Sequence, residues 1–459
     1  MSAEEPSHSA GEGAPAGSAW RPPDERRGRI RRAIESTLLI REGEGAAFLL
    51  SAAYFFLVLS AWYVIRPIRE EMGLAGGVRN LPWLMTATLV AMLVVNPIYA
   101  WVVARLPRRR FVPLVYRFFA LNLLLFLLLI WLGPPTWSLW IGRIFYVWSS
   151  VFNLFVVSVF WSVMVDAHSA GQAKRLFGAI GVGGTLGAIV GGTATAWLVA
   201  FTGPLPLILL SVVLLECAVR VFRGIALRQG LESAGRAEPG HDPIAGFKLL
   251  IRSPYLIGIA LYLLLFTMTG TQLYMAQMEI VDATIPARED RTRFFAIVDI
   301  ATNGLTLVFQ AFATGRFLLM AGLAAALVVV PLLTLGGFGA LLAAPSIAVV
   351  AAFQVLRRAM HFAVDRPARE ALFTPLSADA KYKTKAFLDT FVYRAGDAAG
   401  AWTKSLVGLV TPLAAAPTLV AMALSVLWLG TGVALGAGFR RRAAEGSSGA
   451  VAEGRRERP

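Results

Sequence analysis

Five charged side chains fall in one run, KAFLDTFVYRAGDAAGAWTK (385–404), and the last three of them open the question of chemistry. On a helix turning about 100° per residue, Arg394, Asp397 and Lys404 lie within roughly 80° of one another, with Gly396, Gly400 and Ala401 on or near the same side. Charges in a bilayer core cost several kcal/mol unless they are paired or face a wet cavity. A helix that gathers them on a small-residue face either lines a cavity or carries a structural Arg394–Asp397 pair. A second set, YVIRPIREEMG (63–73), spaces Arg66 and Arg69 three apart, so one face can present two guanidinium forks. Such forks suit phosphate or carboxylate. Glu70 and Glu71 could instead neutralise them.

Asp299, one helical turn from Asn303, is the candidate coupling residue, a carboxylate in a span that could take up a proton or cation. Its structural alternative is an ion pair with an arginine such as Arg143 or Arg394. Arg143, in the fourth span, joins Arg66, Arg69, Arg394, Asp397 and Lys404 as an expected substrate contact. Lys174, Arg175, Lys381, Lys383 and Lys385 form two basic loop clusters and are candidates for a cytoplasmic gate or anion contact. Glu216 and Arg220, four apart, read as a structural pair.

The elements that must position these residues are membrane helices. Of 459 residues 57% are hydrophobic and 15% charged, and runs of about 20 apolar residues recur along the whole chain. The short alternating segments of a β-barrel are missing. We expect an all-α membrane protein with twelve spans: 46–66, 81–104, 111–132, 137–165, 176–202, 204–222, 254–278, 294–315, 317–335, 337–362, 385–410 and 412–438. The net charge of +15 does not point to nucleic acid, because Lys and Arg concentrate in alternate loops, the pattern of cytoplasmic segments. That asymmetry places both termini in the cytoplasm of a bacterial inner membrane. One cysteine excludes an internal disulfide framework, and four scattered histidines give no metal-ligand spacing. No nucleophile–base pair or phosphate-binding Gly loop is evident, so neither an enzyme nor a cofactor site is expected.

Residues 1–45 read as a disordered basic cytoplasmic tail and 439–459 as a second basic tail. A connector, 223–253, divides the spans into six-helix halves, 46–222 and 254–438. A weak repeat supports the division: Asp166 precedes SAGQAKRLFG, Asp365 precedes SADAKYKTKAF, and both lead into Gly- and Ala-rich helices. Two related halves are the mark of a transporter with its site between them. In the fifth span, Gly183, Gly187 and Gly191 recur every four residues, which reads as close helix packing or as a sliding surface.

Four stretches resemble the ATP/ADP translocase (nucleotide transporter) family: FYVWSSVFNLFVVSVFW with QAKRLFGAIGVGGTLGAIVGG, IRPIREE, AALVVVPLLTLGGFG, and ALFTPLSADAKYKTKAFLDTFVYRAGDAAGAW. The resemblance implies a major-facilitator-like fold of two pseudo-symmetric halves and exchange of nucleotides across a membrane. It places Arg66, Arg69 and Glu70 at the family's basic and acidic positions, and Lys381, Lys383 and Lys385 at its basic loop. Ser149 and Tyr274 stand uncharged where the exchangers carry carboxylates. The expected function is therefore secondary transport of an anionic, nucleotide-like or phosphorylated small molecule by a monomer. A proton-coupled carrier or exporter of another solute, and a receptor or assembly factor on a transporter scaffold, stay open.

Overall fold

The computed structural model describes residues 41, 44–229, 243–312, 314–374, 376, 384–385 and 387–456. Most of the expected N-terminal tail (1–40 and 42–43) and the middle of the connector (230–242) lie outside the described residues. The first group of spans is α1 (Gly45–Ala75), α2 (Leu81–Arg105), α3 (Arg108–Leu132), α4 (Ser138–Ala167), α5 (Ala170–Thr202) and α6 (Leu205–Gln229). A short helix, α7 (Pro243–Arg252), leads to α8 (Pro254–Thr284), α9 (Arg288–Phe312), α10 (Thr314–Ala343) and α11 (Ile347–Met360). The chain then makes a π-helical turn (His361–Asp365) and α12 (Arg366–Ala371), and after a second π-helical turn (Leu388–Val392) forms α13 (Tyr393–Val410) and α14 (Ala416–Arg456).

Among the described residues eleven helical segments are long and apolar enough to cross a membrane. α13 is not among them, because Arg394, Asp397 and Lys404 fall within its eighteen residues. It packs on α8 and α2 and completes the second group by position. The second to fourth spans lie within three residues of the expected limits, and the first and the fifth to eighth each differ from them by six to nine residues at one end. The ninth and tenth are divided at a different place: Gly336–Gly337, expected near a turn, sits inside α10, and the chain breaks at Ala344–Ser346 instead. Glycine in a membrane helix lets a neighbour approach, and a Cβ on Gly337 would run into the Phe353 ring of α11. The true break is marked by Ser346, whose hydroxyl accepts from the Val349 amide and caps α11.

Each group has its own core. One cluster is drawn wholly from α1–α6, with Tyr54, Phe152 and Phe160 at its centre, and another from α7, α8 and the helices after it, around Tyr262 and Trp428. Without water in the bilayer, buried hydroxyls must find protein acceptors. Tyr54 donates to Tyr116 and Tyr116 to the Val156 carbonyl, tying α1, α3 and α4; Ser211 and Thr195 donate to the α1 carbonyls of Ala61 and Val64. The glycine repeat faces α1: a Cβ on Gly183 would lie 2.7 Å from the Ala52 carbonyl oxygen, and one on Gly191 2.6 Å from that of Ser60. The second group repeats the device, with Gly396 and Gly400 set against the α8 backbone at Leu264 and Met268. The fifth-span glycines are therefore close packing within one group, not a surface between groups.

A third cluster joins the groups at the end of the bundle away from Gly45 and Arg442. Leu74, Leu81, Leu84 and Tyr146 meet Met275, Met278, Val281 and Phe295 there, and Trp83 packs edge-on against Trp402 at 4.9 Å. We call this the far face, and the opposite end the terminal face.

Candidate functional site

Between the groups lies a cavity of about 1300 Å³. Its wall reaches the terminal face at Phe177, Gln310, Arg366 and Glu370, and it ends blindly beneath the far-face cluster. Six arginines (Arg66, Arg69, Arg357, Arg358, Arg366, Arg394) and three carboxylates (Glu70, Glu370, Asp397) line it, so guanidinium charge is in excess. The side walls are aromatic: Trp62, Tyr63, Phe266 and Tyr393.

α1 positions the blind end. Arg66 and Arg69, one turn apart, both face the cavity, and Glu70 lies 2.7 Å from Arg69 and 3.9 Å from Arg66. Arg69 also donates to the Tyr146 carbonyl and the Ser150 hydroxyl, and its guanidinium stacks 3.9 Å from the Tyr146 ring. Tyr274 of α8 donates to Glu70 at 2.5 Å, and its hydroxyl meets that of Tyr146 at 3.1 Å. These contacts run from one helix group to the other. The uncharged Tyr274 thus delivers a hydrogen bond to the carboxylate supplied by α1.

Asp299 of α9 receives two guanidiniums on the same oxygen, Arg66 at 2.9 Å and Arg358 at 2.7 Å. Its partners are neither Arg143 nor Arg394. Deeper in α11, Arg357 is buried and held by neutral oxygens alone: it donates to Thr334 Oγ1, the Phe266 carbonyl and Thr269 Oγ1. Among the described residues no carboxylate pairs with it. Its guanidinium sits close against Gly270, where any Cβ would come within 2.9 Å of Nη1. On α13, Arg394 lies 3.2 Å from Asp397, which also accepts from Thr271 at 3.3 Å. Both face the cavity.

Other expected site residues stand elsewhere. Lys404 lies about two turns beyond Asp397 along α13, paired with Glu279 at 2.6 Å, and does not line the cavity. Arg143 packs beside Trp140, 4.9 Å from its ring, at the far face. Arg175 closes a terminal-face latch on Glu44 at 2.8 Å; its hydrogen bond holds that carboxyl down at about 2, so the latch stays ionised until strongly acid pH. Lys385 pairs with Glu370 at 2.6 Å. Lys381, Lys383 and the side chain of Lys174 lie outside the described residues. Glu216 takes Arg117 at 2.9 Å ahead of Arg220 at 3.7 Å.

Sequence reasoning did not single out Arg357, Arg358 and His361, which fall at the cytoplasmic end of the expected tenth span, 337–362. The four-residue spacing of Arg357, His361 and Asp365 was the available signal, since it repeats once per helical turn. Asp365 is fully buried, accepting from Tyr262 at 2.5 Å and lying 2.9 Å from His361 Nδ1. His361 stacks on Phe266 at 4.2 Å and reaches the cavity wall.

Solved structures with the same arrangement of helices include a bacterial homologue of the iron transporter ferroportin in an inward-facing state. It shares 13% identity and a TM-score of 0.62 over 85% of this chain and 98% of that one. The nucleoside transporter NupG matches at 12% identity and a TM-score of 0.57, over 86% of this chain and 98% of that one. An auto-inhibited POT family peptide transporter matches at 10% identity and a TM-score of 0.61, over 86% and 96%. This is the major facilitator fold. No protein-family model and no curated protein matches the sequence. The major facilitator neighbours are transporters, not enzymes, and the chain is a multi-pass membrane protein of the same transporter-like build. Within that fold, the cavity between the two helix groups is where a solute would sit.

Proposed function

We propose that the protein is a secondary transporter for an anionic small molecule, nucleotide-like or phosphorylated, carried by alternating access as a monomer in a bacterial inner membrane. One observation supports this most: guanidinium charge exceeds carboxylate charge around a single cavity, and Arg357 is held there by neutral groups. Buried cations without anions are costly, and a bound anion relieves that cost. The resemblance to ATP/ADP translocases narrows the substrate to nucleotides, and the aromatic walls suit a base. Arg66, Arg69, Arg394 and Asp397 are the proposed contacts, with Arg357 and Arg358 added to them. Lys404 and Arg143 would act only at the closed far face. Proteoliposomes given labelled ADP, with and without internal nucleotide, test the reading: uptake stimulated by internal nucleotide is expected, and none with any nucleotide would refute it.

The terminal face carries RLPRRR, QAKR and RRR, and we assign it to the cytoplasm. The cavity then opens inward. A reporter fused after Arg442 should score cytoplasmic, and a periplasmic signal would reverse the assignment.

Arg69 is the contact whose loss should show most directly in binding. A charge-assisted hydrogen bond is worth roughly 1.5–3 kcal/mol. Arg69→Ala should therefore weaken ADP binding at least tenfold by titration calorimetry; unchanged binding would reduce Arg69 to a closing contact.

The proton-coupled alternative has one observation in its favour, the His361–Asp365 pair beside the cavity. Asp299 is occupied by two guanidiniums, whereas Asp365 faces the imidazole of His361 and the phenol of Tyr262. Uptake should respond to an imposed pH gradient and lose that response in His361→Gln. Indifference of the parent protein to the gradient removes this reading.

A further inference from the structure

The charges at the blind end form one continuous line across three helices: Arg358 of α11, Asp299 of α9, then Arg66, Glu70 and Arg69 of α1. The line begins and ends in arginine, so it holds one more cation than anion. Its centre is unusual. Arg66 and Arg358 come from opposite helix groups and converge on a single carboxylate oxygen, Asp299 Oδ1. Both remain partly open to the cavity, at 20% and 16% side-chain exposure, whereas Asp299 behind them is 4% exposed. A guanidinium carries five N–H donors in a planar fork, and each fork spends one short contact on Asp299. The remaining edges turn toward the space a solute would occupy.

We propose that Arg66 and Arg358 are the phosphate-binding subsite of the cavity, and that Asp299 is its resident anion, displaced when a phosphate group of the substrate arrives. This rests on the reading of the protein as an anion transporter and names the residues and chemistry of that site. Paired guanidinium forks match phosphate oxygens better than they match one shared carboxylate oxygen. Asp299 keeps the empty cavity from holding two unneutralised arginines in the membrane, which would be costly. Arrival of phosphate exchanges one ion pair for another. The exchange also removes the direct ion pair between α1 and α9, one of the links that hold the groups together near the closed far face. Cargo binding therefore loosens the barrier ahead of it.

The test is ADP binding to the purified full-length protein by titration calorimetry, with pyrophosphate and adenosine as separate probes. Asp299→Asn keeps the shape and removes the competing charge. It should bind ADP and pyrophosphate about tenfold more tightly than the parent, with adenosine unaffected. Equal or weaker binding in folded Asp299→Asn overturns the proposal. Should that variant fail to fold, Arg358→Gln carries the test, since Asp299 keeps Arg66 at 2.9 Å. A tenfold or greater loss of ADP and pyrophosphate binding supports the subsite, and unchanged binding overturns it. The two levels of the argument separate cleanly. If the parent binds ADP but the variants do not behave as stated, only the resident-anion proposal fails. If parent and Asp299→Asn bind neither ADP nor pyrophosphate, the anion-transport reading fails with it.

Discussion

Arg394→Ala should abolish transport while leaving the yield of folded, detergent-solubilised protein close to that of the parent. Arg394 is on the wall of a cavity wide enough to admit water, so removing its side chain leaves a hole that can hydrate. Asp397 then keeps its hydrogen bond from Thr271. Asp397→Asn should be milder, because the amide oxygen still accepts from the guanidinium 3.2 Å away, while its NH2 replaces the oxygen beside Thr271 and can donate to that hydroxyl. A purely structural pair would behave otherwise. Breaking either side would strand a buried charge, cost roughly 3–5 kcal/mol and lower the yield of both variants alike. Transport and yield measured side by side decide, and equal loss of yield would end the case for Arg394 as a substrate contact.

The second large effect belongs to the α1–α5 seam. A Cβ on Gly187 would collide with the Phe56 carbonyl group and Cα of α1, main-chain atoms that cannot step aside without moving the helix. Gly187→Val should cost about 3 kcal/mol or more, at or beyond the upper end of overpacking, and should sharply reduce folded protein. Gly181, on the same helix, has open space where its Cβ would go, so Gly181→Ala should leave the thermal midpoint nearly unchanged. Equal tolerance at both positions would mean that the seam is looser than these distances imply.

The seam shows why much of the fold was legible beforehand. Glycine every fourth residue has one physical use in a membrane helix, and long apolar runs have one, so eight spans could be placed within a few residues at most ends. The ninth and tenth went wrong for a related reason. Gly336–Gly337 carries both a turn signal and a packing signal, and only the Phe353 ring across the way distinguishes them. At the site, Arg66, Arg69, Arg394 and Asp397 stood out because charge is rare in apolar helices, and the structure brings all four to one cavity. Arg357 and Arg358 did not stand out. They sit near the cytoplasmic end of the expected tenth span, and a positive charge at a cytoplasmic helix end needs no special explanation. Tyr274 was read as a missing carboxylate, since sequence cannot show that Glu70 of another helix comes within reach of its hydroxyl.

The π-helical turn at His361–Asp365 has a consequence for register. Such a turn holds one residue more than an α-helical turn, so the segments on either side of it are out of phase by about 100°. Arg357 and Arg358 precede the turn, while Arg366 and Glu370 follow it, yet all four reach the same cavity. An uninterrupted α-helix would swing the later pair away. Deleting one residue within 361–365 would convert the turn to regular helix and rotate everything beyond it by one position. Glu370 would then leave Lys385, its partner at 2.6 Å, and the terminal-face rim would lose the ion pair that ties α12 to the segment entering α13. Chain length at this point is therefore as constrained as residue identity, and a one-residue gap here would be worse tolerated than most substitutions.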